Sequence, residues 1–494
     1  MSTERKPMGR STPEREGIPS AAIERYIRAI LDARLAMHSV MVVRHRKIVY
    51  EAYWKPFDEN FLHRLYSCSK SIVSMTIGYL ADQGLLSLDD KCMKYFDHRT
   101  AGRTIDPLLE ETTIRDLLRM AAAYTKGANY TAADPDWEET FFTDEVSHVP
   151  GTVFNYCTSG TTILCYIIRK VTGKNFVEVL RPIFDEIGVS EDVFCVKSPD
   201  GIEWGGSGVC ATARDFAKIA DLCMHYGEYE GKQLLPRDYL ITATTRQIDN
   251  SLGAGNVEMA QGYGYQFWMT KMGGFAFYGM GGQYALCFPK EDLMIVTTGY
   301  EELSATGRME IFYALWREIF PALSDAPLAE DATAQASLKA LTDGLEFIHA
   351  EGEATAAMAG TVSGKTYLMR ANAMGMKRVR FDFNGDEGAM TYENATGEHT
   401  LRFGMCKNVR QNFPEIYSGR QLGVKADKGY DCHASAAWTM PDTLMIHCYI
   451  TDIHLGQLRM AAVFKGNTLT LQGIKHAEWF LDEYEGFASG KYTD

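Results

Sequence analysis

Strand signals in the first part of this chain fall into two groups, set far apart. "HSVMVVRHRKIVYEAYW", from residue 38, reads as two strands joined by a tight polar turn at residues 44–46. Residues 87–260 then read mainly as helices and loops, with "TTIRDLLRMAAAY", "TSGTTILCYIIRKVTG" and "TARDFAKIADLCMHYG" as helical patches. Strand signals return in "YGYQFWMTKM", "GFAFYGM", "GQYALCFP" and "LMIVTTGY", and a last helix, "GRMEIFYALWREIF", follows. An early strand pair, a helical insert and a late strand group predict one α+β domain, its antiparallel sheet assembled from both ends of the sequence.

Two helices precede the insert. "AAIERYIRAILDARL" sets Ile23, Tyr26, Ile27, Ile30 and Leu31 at helical spacing. "SCSKSIVSMTIGYLADQGLL" carries Ile72, Val73, Met75, Thr76, Tyr79 and Leu80 and is apolar nearly all round, as in a helix buried at a domain centre; Gly84 is its expected stop. "PALSDAPLAEDATAQAS" reads as a linker, and beyond it the texture changes. "RVRFDF", "GAMTYEN", "HTLRFGM", "HASAAWTM", "TLMIHCYITD", "GQLRMAAVFK" and "NTLTLQGI" are short strands between turn residues. The expected division is a polar tail over 1–18, the α+β domain over 19–322, a linker over 323–340, and an antiparallel β domain over 341–494, a lipocalin-like barrel or a sandwich.

Composition narrows the partners. A formal net charge of −14 argues against nucleic acid and anionic membrane surfaces. The opening "MSTERKPMGRSTPEREGIPS" has no apolar h-region, and no stretch is apolar for long enough to span a bilayer. Eleven cysteines, an odd number without paired short spacings, read as reduced thiols of a cytoplasmic protein. No CxxC pair and no HExxH is present, so neither a metal nor a cofactor is expected.

The chemistry centres on "LYSCSKS", where Ser67 stands three residues ahead of Lys70 at a helix start. Positions i and i+3 share a helix face. A lysine can therefore reach the serine hydroxyl and, when neutral, take its proton and make it a nucleophile. By chance alone S-x-x-K should occur about once or twice in a chain of this length. Further blocks follow in order: "PGTVFNYCTSGTTILCYIIRKVTGKNF", "EWGGSGVCATARDFAKIADLCMHYG", "YGYQFW" and "YGMGGQYALCFPKEDLMIVTTGY".

With these blocks the sequence resembles the serine β-lactamase-like family. That family holds class C β-lactamases, penicillin-binding proteins, related esterases and 6-aminohexanoate-dimer hydrolases. The resemblance runs in order over roughly residues 20–320. It implies a β-lactamase/transpeptidase-like fold, with Ser67 as the acylated nucleophile and Lys70 as its base. Tyr156 would relay a proton between nucleophile and leaving group. The loop "GMGGQ" matches the family's third element, with Met280 in first place, then Gly281 and Gly282. The backbone N–H groups of Ser67 and Gln283 would form the oxyanion hole. Two departures carry information. Thr158 stands where the family has asparagine, which shortens the reach toward a substrate amide. Met280 replaces a basic or polar residue, and a thioether cannot pair with an anion. Penicillin-like and D-Ala-D-Ala-like substrates are disfavoured on that ground, as is a class A lactamase, since its E-x-x-L-N element is missing.

The resulting expectation is a serine hydrolase acting on a small ester or amide through an acyl-enzyme, an esterase or amidase more than a true β-lactamase. An acyltransferase using the same intermediate, or a catalytically silent ligand-binding homologue, are the alternatives. His63 and Arg64 read as a half-exposed strand end. Trp137, Phe141 and Phe142 either line an acyl pocket or anchor a surface loop. Cys68 and Cys157 read as packing residues, and Trp438, His447, His454 and Trp479 as core or rim of the β domain.

Overall fold

The computed structural model describes residues 6–124, 127, 130, 133–300, 307–417, 429–478 and 480–492. These form two compact units, the first reaching Glu346 and the second built from Phe347 onward.

The first unit is organised by a seven-stranded sheet. Its order is Gly9–Arg10, Lys47–Tyr53, Met37–Arg44, Leu293–Gly299, Gln283–Phe288, Phe275–Gly279 and Trp268–Met269. The early pair closes through His45 and Arg46, both at positive φ (50° and 59°). That backbone gives a two-residue hairpin the twist of its strands. The two ends of the sequence meet where Met37–Arg44 pairs antiparallel with Leu293–Gly299. A Ser39 Oγ to Thr298 Oγ1 hydrogen bond of 2.6 Å spans the seam.

Both sheet faces are covered, which is why the central strands are buried along their whole length. Helix Ser20–Asp32 lays Ile23, Tyr26, Ile27 and Ile30 against Val40, Val42, Leu286 and Ile295. Helix Glu310–Ala314, its π-helical continuation Leu315–Ile319 and helix Ala332–Asp343 pack beside it. Helices Cys68–Asp82 and Ala213–Met224 cover the other face, where Phe216 meets Phe277 at 5.7 Å.

Two sequence boundaries are corrected. Residues 6–18 are no tail: Gly9–Arg10 adds a parallel edge strand, and Glu14 is buried. Its carboxylate accepts from Ser20 N (2.7 Å), Ser20 Oγ (3.0 Å) and Gln335 Nε2 (2.8 Å). Polar side chains can be buried when they are paired in this way. Residues 323–340 are no linker either, because helix Ala332–Asp343 starts inside them, capped by Asp331 on Ala334 N. Its alanines are strong helix formers, and its Leu338 is buried against the first helix's core. The unit boundary lies later, between Glu346 and Phe347.

The second unit is a closed β-barrel, which settles the choice between barrel and sandwich. Its ten strands are Thr366–Met369, Arg378–Asn384, Glu387–Glu393, Glu398–Met405, Val409–Asn412, Asp431–Met440, Thr443–Thr451, Leu455–Lys465, Thr468–Ala477 and Gly486–Lys491. Gly486–Lys491 pairs with Thr366–Met369, and Glu398–Met405 reaches Asp431–Met440 in parallel, so the sheet returns on itself. Closure removes free strand edges. Every second residue of Glu387–Glu393 faces the core, among them Met390 and Tyr392. Trp438 lies in that core, His454 is buried and His447 is half-buried; Trp479 lies outside the described residues. All eleven cysteines are free thiols, ten of them buried. Among the described residues no helix is long and apolar enough to cross a membrane.

Candidate active site

Ser67 sits on a sharp turn into helix Cys68–Asp82. Leu65 N donates to Val209 O (2.7 Å), ending the short strand His63–Arg64, and the next residue, Tyr66, has φ of 48°. A bulky residue there is strained, so its surroundings must hold it. Ser67 then takes helical angles, and Cys68 N and Ser69 N donate back to Leu65 O and Tyr66 O. From His63 to Gly78 every residue is buried except Ser67, which is half-exposed.

Lys70, one turn on, is 1% exposed. Its Nζ lies 2.9 Å from Ser67 Oγ and donates to Gly206 O at 2.5 Å. The same nitrogen is 5.2 Å from the centre of the Tyr156 ring. The burial that surrounds Tyr156 pushes its phenol up, and hydrogen bonding to Ser67 opposes that rise. Three expected residues, Ser67, Lys70 and Tyr156, are thus brought together from two helix starts.

The loop that receives the lysine is "EWGGSG". Its glycines are there for space. A Cβ at Gly205 would come within 2.5 Å of Cys165 Sγ, and one at Gly206 within 2.5 Å of Thr158 Cγ2. Thr158 opens the helix Thr158–Thr172, half-exposed beside this loop.

The third element sits on the neighbouring strand turn. Phe275–Gly279 and Gln283–Phe288 are joined across Met280–Gly282, with Gly281 and Gly282 at φ of 83° and 98°. Met280 is half-exposed. A Cβ at Gly279 would collide with Leu65 O, so the turn lies directly against the Ser67 segment. Gln283 is fully buried, and its side chain donates to Met280 O (3.1 Å) and Gly299 O (2.5 Å). Cys68 Sγ donates to Gln283 O (3.0 Å), and burial pushes that thiol far up, leaving it a protonated packing group.

Other expectations change. His63 and Arg64 are not half-exposed; they are 2% and 1% exposed, because their strand is paired with Val209–Ala211 under the site. Burial pulls the His63 imidazole down to about 3, so it is neutral. Trp137 and Phe141 are buried, with Trp137 edge-on to Trp204 of the glycine loop at 5.5 Å.

The sequence reading passed over an aromatic wall beside Tyr156. Trp268 lies 5.4 Å from Tyr156, Phe154 5.9 Å from Trp268, and Tyr278 5.7 Å from Trp268. Arg308 Nε donates to Tyr278 O–H (3.0 Å). The signal for Phe154 was in "PGTVFNY"; Trp268, Tyr278 and Arg308 come from distant segments that only folding gathers.

A half-exposed serine hydroxyl 2.9 Å from a buried lysine amine is an arrangement that serine hydrolases use. The family model described as Beta-lactamase matches residues 23–299, and the chain belongs to that family. A 6-aminohexanoate-dimer hydrolase of Paenarthrobacter ureafaciens is 24% identical over 276 residues, 52% of this chain and 70% of that protein. The octameric penicillin-binding protein homologue from Pyrococcus abyssi is 16% identical, covers 94% of this chain and 98% of its own, and has a TM-score of 0.48. EstCE1, described as a hydrolase with promiscuous acyltransferase activity, is 14% identical over 60% of this chain and 98% of its own, with a TM-score of 0.47.

Proposed function

We propose that this hydrolase is an esterase or amidase working through an acyl-enzyme on Ser67. Lys70, as the neutral amine, takes the Ser67 proton, and Oγ attacks the substrate carbonyl. The developing oxyanion is met by the backbone N–H groups of Ser67 and Gln283. The Tyr156 phenol passes a proton to the leaving alcohol or amine, and water then releases the acyl group by the reverse route. The observation that carries this reading is the 2.9 Å approach of Lys70 Nζ to the one half-exposed residue of its segment.

The substrate class follows from the lining. Met280 offers no charge to a carboxylate, and the cation at Arg308 is engaged with Tyr278. Phe154 and Tyr156 are half-buried beside Trp268, and the adjoining Val153 and Leu252 are exposed. A small uncharged ester or amide with an apolar group against that wall fits best. Free buried thiols support a reducing, cytoplasmic setting for it.

The test is labelling with a fluorophosphonate probe, followed by p-nitrophenyl esters of increasing chain length, nitrocefin and D-amino-acid amides. The expected result is an adduct on Ser67, lost in Ser67→Ala, with esters turned over faster than nitrocefin. Folded protein that takes no label points to a silent binder, and rapid nitrocefin turnover overturns the argument from Met280.

A further inference from the structure

We infer that Arg64 is a positioning residue for Lys70, an assignment that rests on Ser67 and Lys70 being nucleophile and base. Arg64 is 1% exposed, three residues before the serine. Its Nε donates to Ser207 O and a terminal nitrogen donates to Ser207 Oγ, both at 2.8 Å. Its guanidinium lies 4.4 Å from the Tyr66 ring centre and 4.8 Å from that of Trp204. One side chain therefore grips the strained residue before Ser67 and the glycine loop, segments separated by 143 positions in sequence.

That loop is where the lysine is held. Gly206, next to Ser207, presents the carbonyl that receives Lys70 Nζ at 2.5 Å. Lysine is a point charge on a flexible stem with no preferred direction. Its aim at Ser67 Oγ depends on where the second acceptor stands, and Arg64 sets that distance from the serine's own turn. Val209 N on Ser69 Oγ (3.0 Å) and Leu65 N on Val209 O (2.7 Å) tie the same two segments on the far side of the loop. Burying a guanidinium is costly, and an apolar side chain would fill the space at less cost if filling were its only role. Two charge-assisted bonds to one residue, between two aromatic faces, specify a planar fork that lysine cannot supply.

The experiment uses the full chain with Arg64→Ala, Arg64→Lys, Ser207→Ala and, as a separate control, Ser67→Ala. For each, kcat and KM for a p-nitrophenyl ester are measured from pH 5 to 10, with the fluorophosphonate labelling rate and the unfolding temperature. A misplacement of about 1 Å at a reacting group costs on the order of 100-fold in rate. Arg64→Ala should thus lower kcat and labelling about 10- to 100-fold. KM should stay near the native value, and the acid limb of the pH profile should move. Arg64→Lys should fall between the two, and Ser207→Ala should lose less than Arg64→Ala. Folded Arg64→Ala with native kcat and labelling overturns the inference. If that variant does not fold, native kcat in both Arg64→Lys and Ser207→Ala overturns it instead. Ser67→Ala separates the two ideas: turnover that survives it sinks the underlying reading, whereas its loss alongside native Arg64→Ala sinks only the role of Arg64.

Discussion

Lys70 and Tyr156 approach Ser67 from different elements, so they can be removed one at a time. Tyr156→Phe keeps the ring against Trp268 and deletes only the hydroxyl, the group proposed to relay the proton. Its kcat should fall by about 100- to 10,000-fold, the usual range for a lost general acid–base group, with the unfolding temperature little changed. Met280→Lys introduces a cation at the turn. The ratio of kcat/KM for a carboxylate-bearing ester over its neutral analogue should rise, and an unchanged ratio would remove Met280 from the pocket. Ser67 and Lys70 were legible because one helical turn fixes their relation before any tertiary contact forms. From sequence Arg64 reads as a half-exposed strand residue, because its partners, Ser207 and Trp204, belong to another segment that no local periodicity reports.

The turns around the site carry their own constraints. Gly279 faces the carbonyl of Leu65, and Gly205 faces Val73 and Cys165. Gly279→Ala must push backbone against the Ser67 turn, so kcat should drop well before the fold is lost. Gly205→Ala presses on buried side chains, and overpacking of that kind costs about 1–3 kcal/mol. Urea unfolding of both variants, read beside their kcat, distinguishes the two effects. The glycine block was visible as a motif; that each glycine marks a close approach was not, because its neighbours lie far off in sequence. The helix Ala332–Asp343 was hidden for the opposite reason. The Pro- and Asp-bearing run before it, "PALSDAPLAED", masks its start, and its Leu338 finds its core only in the folded unit.

At the scale of the whole molecule, titration of buried groups predicts how stability varies with pH. Burial raises Glu203 from 4.5 to about 7. His225, opposed by burial but held by Asp221 and Asp292, rises from 6.5 to about 10. In both cases the folded chain keeps a proton that the unfolded chain has released, so stability falls as pH rises. The Glu203 contribution is lost between about 4.5 and 7, and that of His225 between about 6.5 and 10. Glu16, bonded to Lys47, Ser11 and His45 against the cost of its burial, drops from 4.5 to about 2; its contribution is present above 4.5 and lost as pH falls through 2. Thermal unfolding from pH 4 to 10 should therefore peak on the acid side of neutrality. Glu203→Gln should flatten the lower part of the decline, and Asp292→Asn the upper part. The two-unit plan and the β character of the second unit were legible from the change of texture. Barrel closure was not, since it depends on one parallel contact between Glu398–Met405 and Asp431–Met440.

The seam between Met37–Arg44 and Leu293–Gly299 also sets a schedule for synthesis. A ribosome releases the serine, its lysine and its tyrosine long before the strand that must dock beside Met37 has been translated. Pairing across so long a loop is slow and leaves apolar edges waiting for their partner. A nascent chain stopped short of Leu293 would hold Met37–Arg44 without the strand that completes the sheet beside it.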